Sequence, residues 1–151
     1  MAFGSSLLEL KFPVRIQTLK PGERIELGPE SSLSVAKTLH TDESLAARIE
    51  NAGRVLGYTG DTAYDQVLAH FFNKADVLIS ECSFLEPRTD VRHLSVRECA
   101  KLAAESQTRN LIVTHFYFDV DEDELRAELE RGFSGEVIIG RDGLSVEVGS
   151  A

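Results

Sequence analysis

No run of apolar residues in this sequence approaches the roughly 20 needed to span a bilayer, so a membrane helix is not expected. The opening residues, MAFGSSLLELKF, lack the basic region and apolar core of a secretory signal, and a soluble, cytoplasmic protein is the expectation. Cysteine is scarce too: Cys82 and Cys99 are the only two, in no CxxC spacing. They form no disulfide framework and read as reduced, partly buried thiols that fill space. Positive charge is in the minority, with 16 Lys and Arg against 25 Asp and Glu and a formal net charge of -9. That balance repels phosphate backbones at long range, so nucleic-acid binding by this chain alone is not expected. Repeats, low-complexity tracts and linkers are also absent. What remains is one domain over residues 1–151, with 42% hydrophobic content, enough for a real core.

The pattern changes near Asn51. Before it lie short alternating segments, Leu7 to Phe12, Val14 to Thr18, Arg24 to Leu27, Leu33 to Thr38 and Leu45 to Glu50, punctuated by Pro21-Gly22 and Gly28-Pro29. They predict an antiparallel meander. After it strands alternate with helices: Val55 to Tyr58, a helix over Ala63 to Lys74, Val77 to Ser80, a helix over Ser95 to Ser106, Leu111 to Thr114, a helix over Asp121 to Arg131, then Val137 to Ile139 and Leu144 to Val148. This alternation predicts an α/β fold, a mixed sheet with helices on one face. Ser95-Val-Arg-Glu98 fits a capping box, and the four acids from Asp121 to Glu124 sit where a helix dipole favours them.

In α/β sheets ligands gather beyond the carboxyl ends of the strands. Three successive apolar strands here end in Thr59-Gly60-Asp61-Thr62, in Ser80-Glu81-Cys82-Ser83 and in Thr114-His115-Phe116. If the strands are neighbours, Asp61, Glu81 and His115 meet at one edge. Gly60 leaves no side chain to obstruct approach to Asp61, whose carboxylate could hold or bridge cations. Taken singly, each residue has a plainer reading: Asp61 as a helix cap, Glu81 as a solvated loop acid, His115 as a buried strand-end histidine. Their recurrence at three strand ends argues for a site.

In order, HTDESLAARIE, YTGDT, ADVLISECSF, RHLSVRECAKLA and NLIVTHF resemble the metallo-β-lactamase fold hydrolases, in the branch of ribonuclease Z and related phosphodiesterases. The resemblance runs from about Gly22 to Val148. It implies that Asp61 bridges two metal ions, usually zinc, and that His115 is a metal ligand. It further implies that Glu81 and His93 form a relay in which the carboxylate orients an imidazole that assists a phosphodiester substrate and its leaving group.

The family's HxHxDH motif is absent, and His40, His70, His93 and His115 are the whole histidine supply. His40 reads as a loop or supporting residue and His70 as packing or solvent-exposed. Asp61 and His115 alone fall short of the three or four ligands of a zinc site, so metal is expected to be weak or absent in this chain, which alone is expected to be inactive. The chain thus resembles the C-terminal half of an αββα sandwich, and an unpartnered sheet face is expected to be covered by a second copy in a homodimer. The alternative cover is the early meander folding back. The alternative function is a non-catalytic half-domain that serves as a dimeric interaction or assembly module.

Overall fold

The computed structural model describes Pro13, residues 15–119 and residues 121–149. Seven strands form one mixed sheet in strictly sequential order: β1 (Arg24–Gly28), β2 (Ser31–Lys37), β3 (Leu45–Asn51), β4 (Arg54–Tyr58), β5 (Val77–Glu81), β6 (Asn110–Thr114) and β7 (Glu136–Ile139). β1 to β4 pair antiparallel, and β4 to β7 pair parallel. The parallel strands are joined by α1 (Gln66–Phe71), α2 (Val96–Glu105) and α3 (Glu122–Glu130). Because each crossover adds a strand on the same side, connections of one hand place all three helices on one face. A single buried cluster joins Leu68 and Phe72 near α1, Cys99 and Leu102 of α2, and Leu125 and Leu129 of α3 to Leu78, Leu111, Val113 and Val137 of the sheet. The α/β fold with helices on one face is therefore present, and the meander extends the same sheet.

Local chemistry sets the helix ends. Ser95 and Glu98 exchange backbone and side-chain bonds in a complete capping box, and Asp121 accepts from the N–H groups of Asp123 and Glu124. α1 is shorter than the sequence predicts, because Asp65 is its cap and the preceding Ala63 N–H donates to the Leu39 carbonyl, tying that stretch to the β2–β3 loop. Two expected strands differ. Leu7 to Phe12 and Val14 lie outside the described residues, while residues 15–18 carry no strand. Leu144 to Val148 is also not a strand; it lies on the helix-free face, where Leu144, Val146 and Val148 line a groove with Leu56, Val77, Ile79 and Ile112. Its alternating apolar residues border that groove, with Leu144 and Val146 still 40% and 38% exposed, and in sequence the pattern is indistinguishable from strand pairing. No helix among the described residues is long and apolar enough to cross a membrane.

Candidate metal and relay site

Parallel pairing brings the carboxyl ends of β4, β5 and β6 to one edge, with Tyr58 opposite Ile79 and Glu81 opposite Thr114. Asp61, Glu81 and His115 follow from those ends. Asp61 is not a helix cap, since Asp65 fills that role, and its side chain is left for the edge. Gly60 matters for a different reason than open approach: its φ is +58°, and a Cβ there would sit 3.0 Å from the Leu45 carbonyl oxygen. Only glycine takes that left-handed turn at no steric cost. His115 has a φ of +64° although it is not glycine. Such backbone is costly and, at the end of β6, re-aims the imidazole across the edge.

The Asp61 carboxylate stands between two imidazoles. Oδ1 lies 3.9 Å from His115 Nε2, and Oδ2 lies 3.8 Å from His40 Nε2. These separations are too long for hydrogen bonds and close to the spacing of about 3.3 Å between donors that share one tetrahedral zinc. Imidazole nitrogen and carboxylate oxygen are a donor set that zinc accepts, so the residues present fit a divalent ion. Donor atoms of His40, Asp61 and His93 fall within 4.8 Å of one another, as do those of Glu81, His93 and His115.

His40, read from sequence as a loop or supporting residue, lies in the loop after β2 beside Asp61. Its Nδ1 lies 3.1 Å from the Arg92 carbonyl, and the Arg92 guanidinium donates back to the His40 carbonyl at 2.8 Å. A carbonyl only accepts, so Nδ1 carries a proton, and in the neutral ring Nε2 is the nitrogen left for a metal ion on the side of Asp61. His40 thus stands with Asp61 and His93 in one group whose donor atoms could hold a metal ion. The signal was available in strand parity: β2 runs in the same direction as β4, because β3 is antiparallel to both, so the residues after β2 reach the same edge as those after β4. His70, by contrast, lies exposed on α1 with Nδ1 on the Gln66 carbonyl of its own helix.

Glu81 and His93 meet directly. His93 Nδ1 lies 2.9 Å from Glu81 Oε2 and 3.1 Å from Oε1. Only 2% of Glu81 is exposed, and burial of a carboxylate demands partners. Those partners are the Thr62 N–H at 2.5 Å on Oε1 and the Ser83 hydroxyl at 2.6 Å on Oε2, besides His93. Its backbone is held as well, since the Cys99 thiol donates to the Glu81 carbonyl at 2.9 Å. Burial pushes the Cys99 thiol well above its ordinary pKa, so it remains a thiol. Both cysteines are unpaired and fully buried. Phe84 and Tyr117 pack edge-on against His93 with centroids 6.2 and 5.7 Å away, walling the relay. Ser83, Thr62 and Tyr117 were not singled out from sequence; small polar residues adjoining the strand-end acid and histidine were the available signal.

A sequence profile described as the beta-lactamase superfamily domain matches residues 3–116. The probable metallo-hydrolase YhfI of Bacillus subtilis is 33% identical over 127 residues, which cover 82% of this chain and 51% of that protein. The chain belongs to the metallo-β-lactamase superfamily. Ribonuclease Z of Myxococcus xanthus is 29% identical over 131 residues, covering 83% of this chain and 42% of its own. In three dimensions, the crystal structure of the metallo-β-lactamase fold protein YhfI superposes with a TM-score of 0.76 at 33% identity, over 83% of this chain and 53% of that one. The short form of human tRNase Z shares the fold at 17% identity, with a TM-score of 0.63 and coverage of 82% and 45%. The chain spans about half the length of the relatives it matches.

Proposed function

We propose that this superfamily chain contributes one side of a zinc-dependent hydrolytic site that acts on phosphodiesters. The observation that carries the reading is the Asp61 carboxylate, with one oxygen toward His115 Nε2 at 3.9 Å and the other toward His40 Nε2 at 3.8 Å, beside a buried Glu81–His93 pair. Asp61, with His115 toward one oxygen and His40 toward the other, would hold zinc, which would supply Lewis-acid polarisation of a phosphoryl group. The chain's own residues do the rest. Asp61 spaces the two imidazoles. Glu81 accepts from His93 Nδ1–H and so orients the ring, leaving Nε2 for the substrate. As water adds to phosphorus and releases a proton to solvent, the P–O bond to the leaving group breaks and His93, in its doubly protonated form, gives its Nε2 proton to the departing oxygen and regains one from solvent. Phe84 and Tyr117 limit water around that ring.

The second reading, a non-catalytic assembly module, is favoured by the apolar residues left exposed on the helix-free face. A second copy is the partner that goes with either reading. It would cover the helix-free face, where Ile49, Leu144 and Val146 are 36%, 40% and 38% exposed.

The test is zinc uptake together with hydrolysis of bis(p-nitrophenyl) phosphate. We expect zinc uptake that is lost in Asp61→Ala and His115→Ala, and slow cleavage that drops about 10²- to 10⁴-fold in His93→Ala. Zinc uptake without any cleavage would select the assembly module. Zinc uptake unaffected by Asp61→Ala would contradict the proposal.

A further inference from the structure

Glu81 bonds His93 directly, but a second path leads from the same carboxylate to His115 and runs through Ser83. The Ser83 Oγ lies 2.6 Å from Glu81 Oε2, 2.9 Å from His115 Nδ1 and 3.2 Å from the His115 carbonyl oxygen. A hydroxyl has one hydrogen and two lone pairs. The shortest contact is to a carboxylate, which only accepts, so the hydrogen points to Glu81 rather than to the more distant His115 carbonyl, and a lone pair remains for His115 Nδ1. Nδ1 of His115 must then carry a proton, and in the neutral ring Nε2 is the nitrogen left bare on the side of Asp61. Without that constraint the ring could carry its hydrogen on either nitrogen.

We infer that Ser83 is a positioning residue: it transmits the placement of the buried Glu81 carboxylate to His115 and fixes the His115 tautomer with Nε2 unprotonated. The same carboxylate accepts from the N–H of Thr62, the neighbour of Asp61. One buried acid thereby indexes the turn that carries Asp61, the ring of His93 and, through Ser83, the ring of His115. This explains how three separate loops keep one geometry. It also explains why a residue two positions beyond Glu81 is buried although polar, with a relative exposure of 0%. The value of the bare Nε2 as a metal donor rests on the proposed function; the tautomer itself does not.

The test is a long-range ¹H–¹⁵N spectrum of the imidazoles in the metal-free 151-residue chain, at a pH well above the ordinary histidine value of about 6.5. Wild type and Ser83→Thr, which keeps the hydroxyl, should show His115 protonated at Nδ1. Ser83→Ala should shift His115 to a mixture or to the Nε2–H form, while His70 is unchanged. A wild-type His115 protonated at Nε2 overturns the inference, and so does a folded Ser83→Ala chain whose His115 tautomer is unaltered. If Ser83→Ala does not fold, the wild-type and Ser83→Thr spectra still decide. Zinc added to wild type separates the two readings: an Nε2 resonance that does not move would sink the proposed metal role of His115 and leave the Ser83 linkage standing. Where zinc does bind, Ser83→Ala should weaken it about 10- to 100-fold, the usual effect of losing a partner that orients a ligand.

Discussion

The antiparallel and parallel halves of the sheet are built from similar strand lengths, yet they do different work. β1 to β3 carry exposed positions on every strand, whereas β5 shows Val77, Leu78, Ser80 and Glu81 all buried. The difference lies in what covers them. Crossover helices shield one face of the parallel half, while its other face receives part of the segment from Leu144 to Val148. Parallel alignment also places every carboxyl end at the same edge, so three loops meet; in an antiparallel ribbon only alternate strands point there. The antiparallel half therefore supplies one site residue, His40 after β2, and the parallel half supplies the others.

Substitutions on the two sides sharpen this contrast. Leu111→Ala, in a fully buried position on β6, should cost about 2–5 kcal/mol in urea or guanidinium unfolding. Gly57→Ala should come next at about 1–3 kcal/mol, because its Cβ would lie 2.6 Å from Phe72 Cδ1 and 2.9 Å from Leu78 Cδ1. Ser95→Ala removes the α2 capping box and should cost about 1 kcal/mol by the same measurement. Leu27→Ala, 55% exposed on β1, should stay within about 0.5 kcal/mol. Equal losses for Leu27→Ala and Leu111→Ala would break the comparison. Light scattering during size-exclusion chromatography should report a dimer with more than about 1,200 Å² buried in total. A monomer at micromolar concentration would mean that the segment from Leu144 to Val148 covers enough of the open face by itself.

The parallel half was legible because its signals are local. Val77-Leu-Ile-Ser and Leu111-Ile-Val-Thr are apolar at successive positions, and each is followed by a residue with chemistry to offer. Once strand order was guessed, Asp61, Glu81 and His115 had to share an edge. His93 was placed only by family resemblance, since nothing in its loop predicts a return to Glu81. The approach of His40 to Asp61 was not legible, because it depends on the parity of two hairpins, a long-range property of the sheet. Leu144 to Val148 misled because alternation of apolar residues does not by itself report hydrogen-bond pairing. Ser83 was invisible as a linker, because a serine after a strand end looks the same whether its hydroxyl meets water or a buried carboxylate.

The central claim is that Asp61 lies between two imidazoles, one from each half of the sheet, in a geometry suited to a divalent ion. Competition of the chain against a zinc-binding dye tests it most directly, comparing wild type with His40→Ala and with His70→Ala, whose ring lies outside the site on α1. The account predicts that zinc affinity falls at least about 10-fold in His40→Ala and stays at the wild-type value in His70→Ala. Equal affinity in wild type and His40→Ala would contradict it.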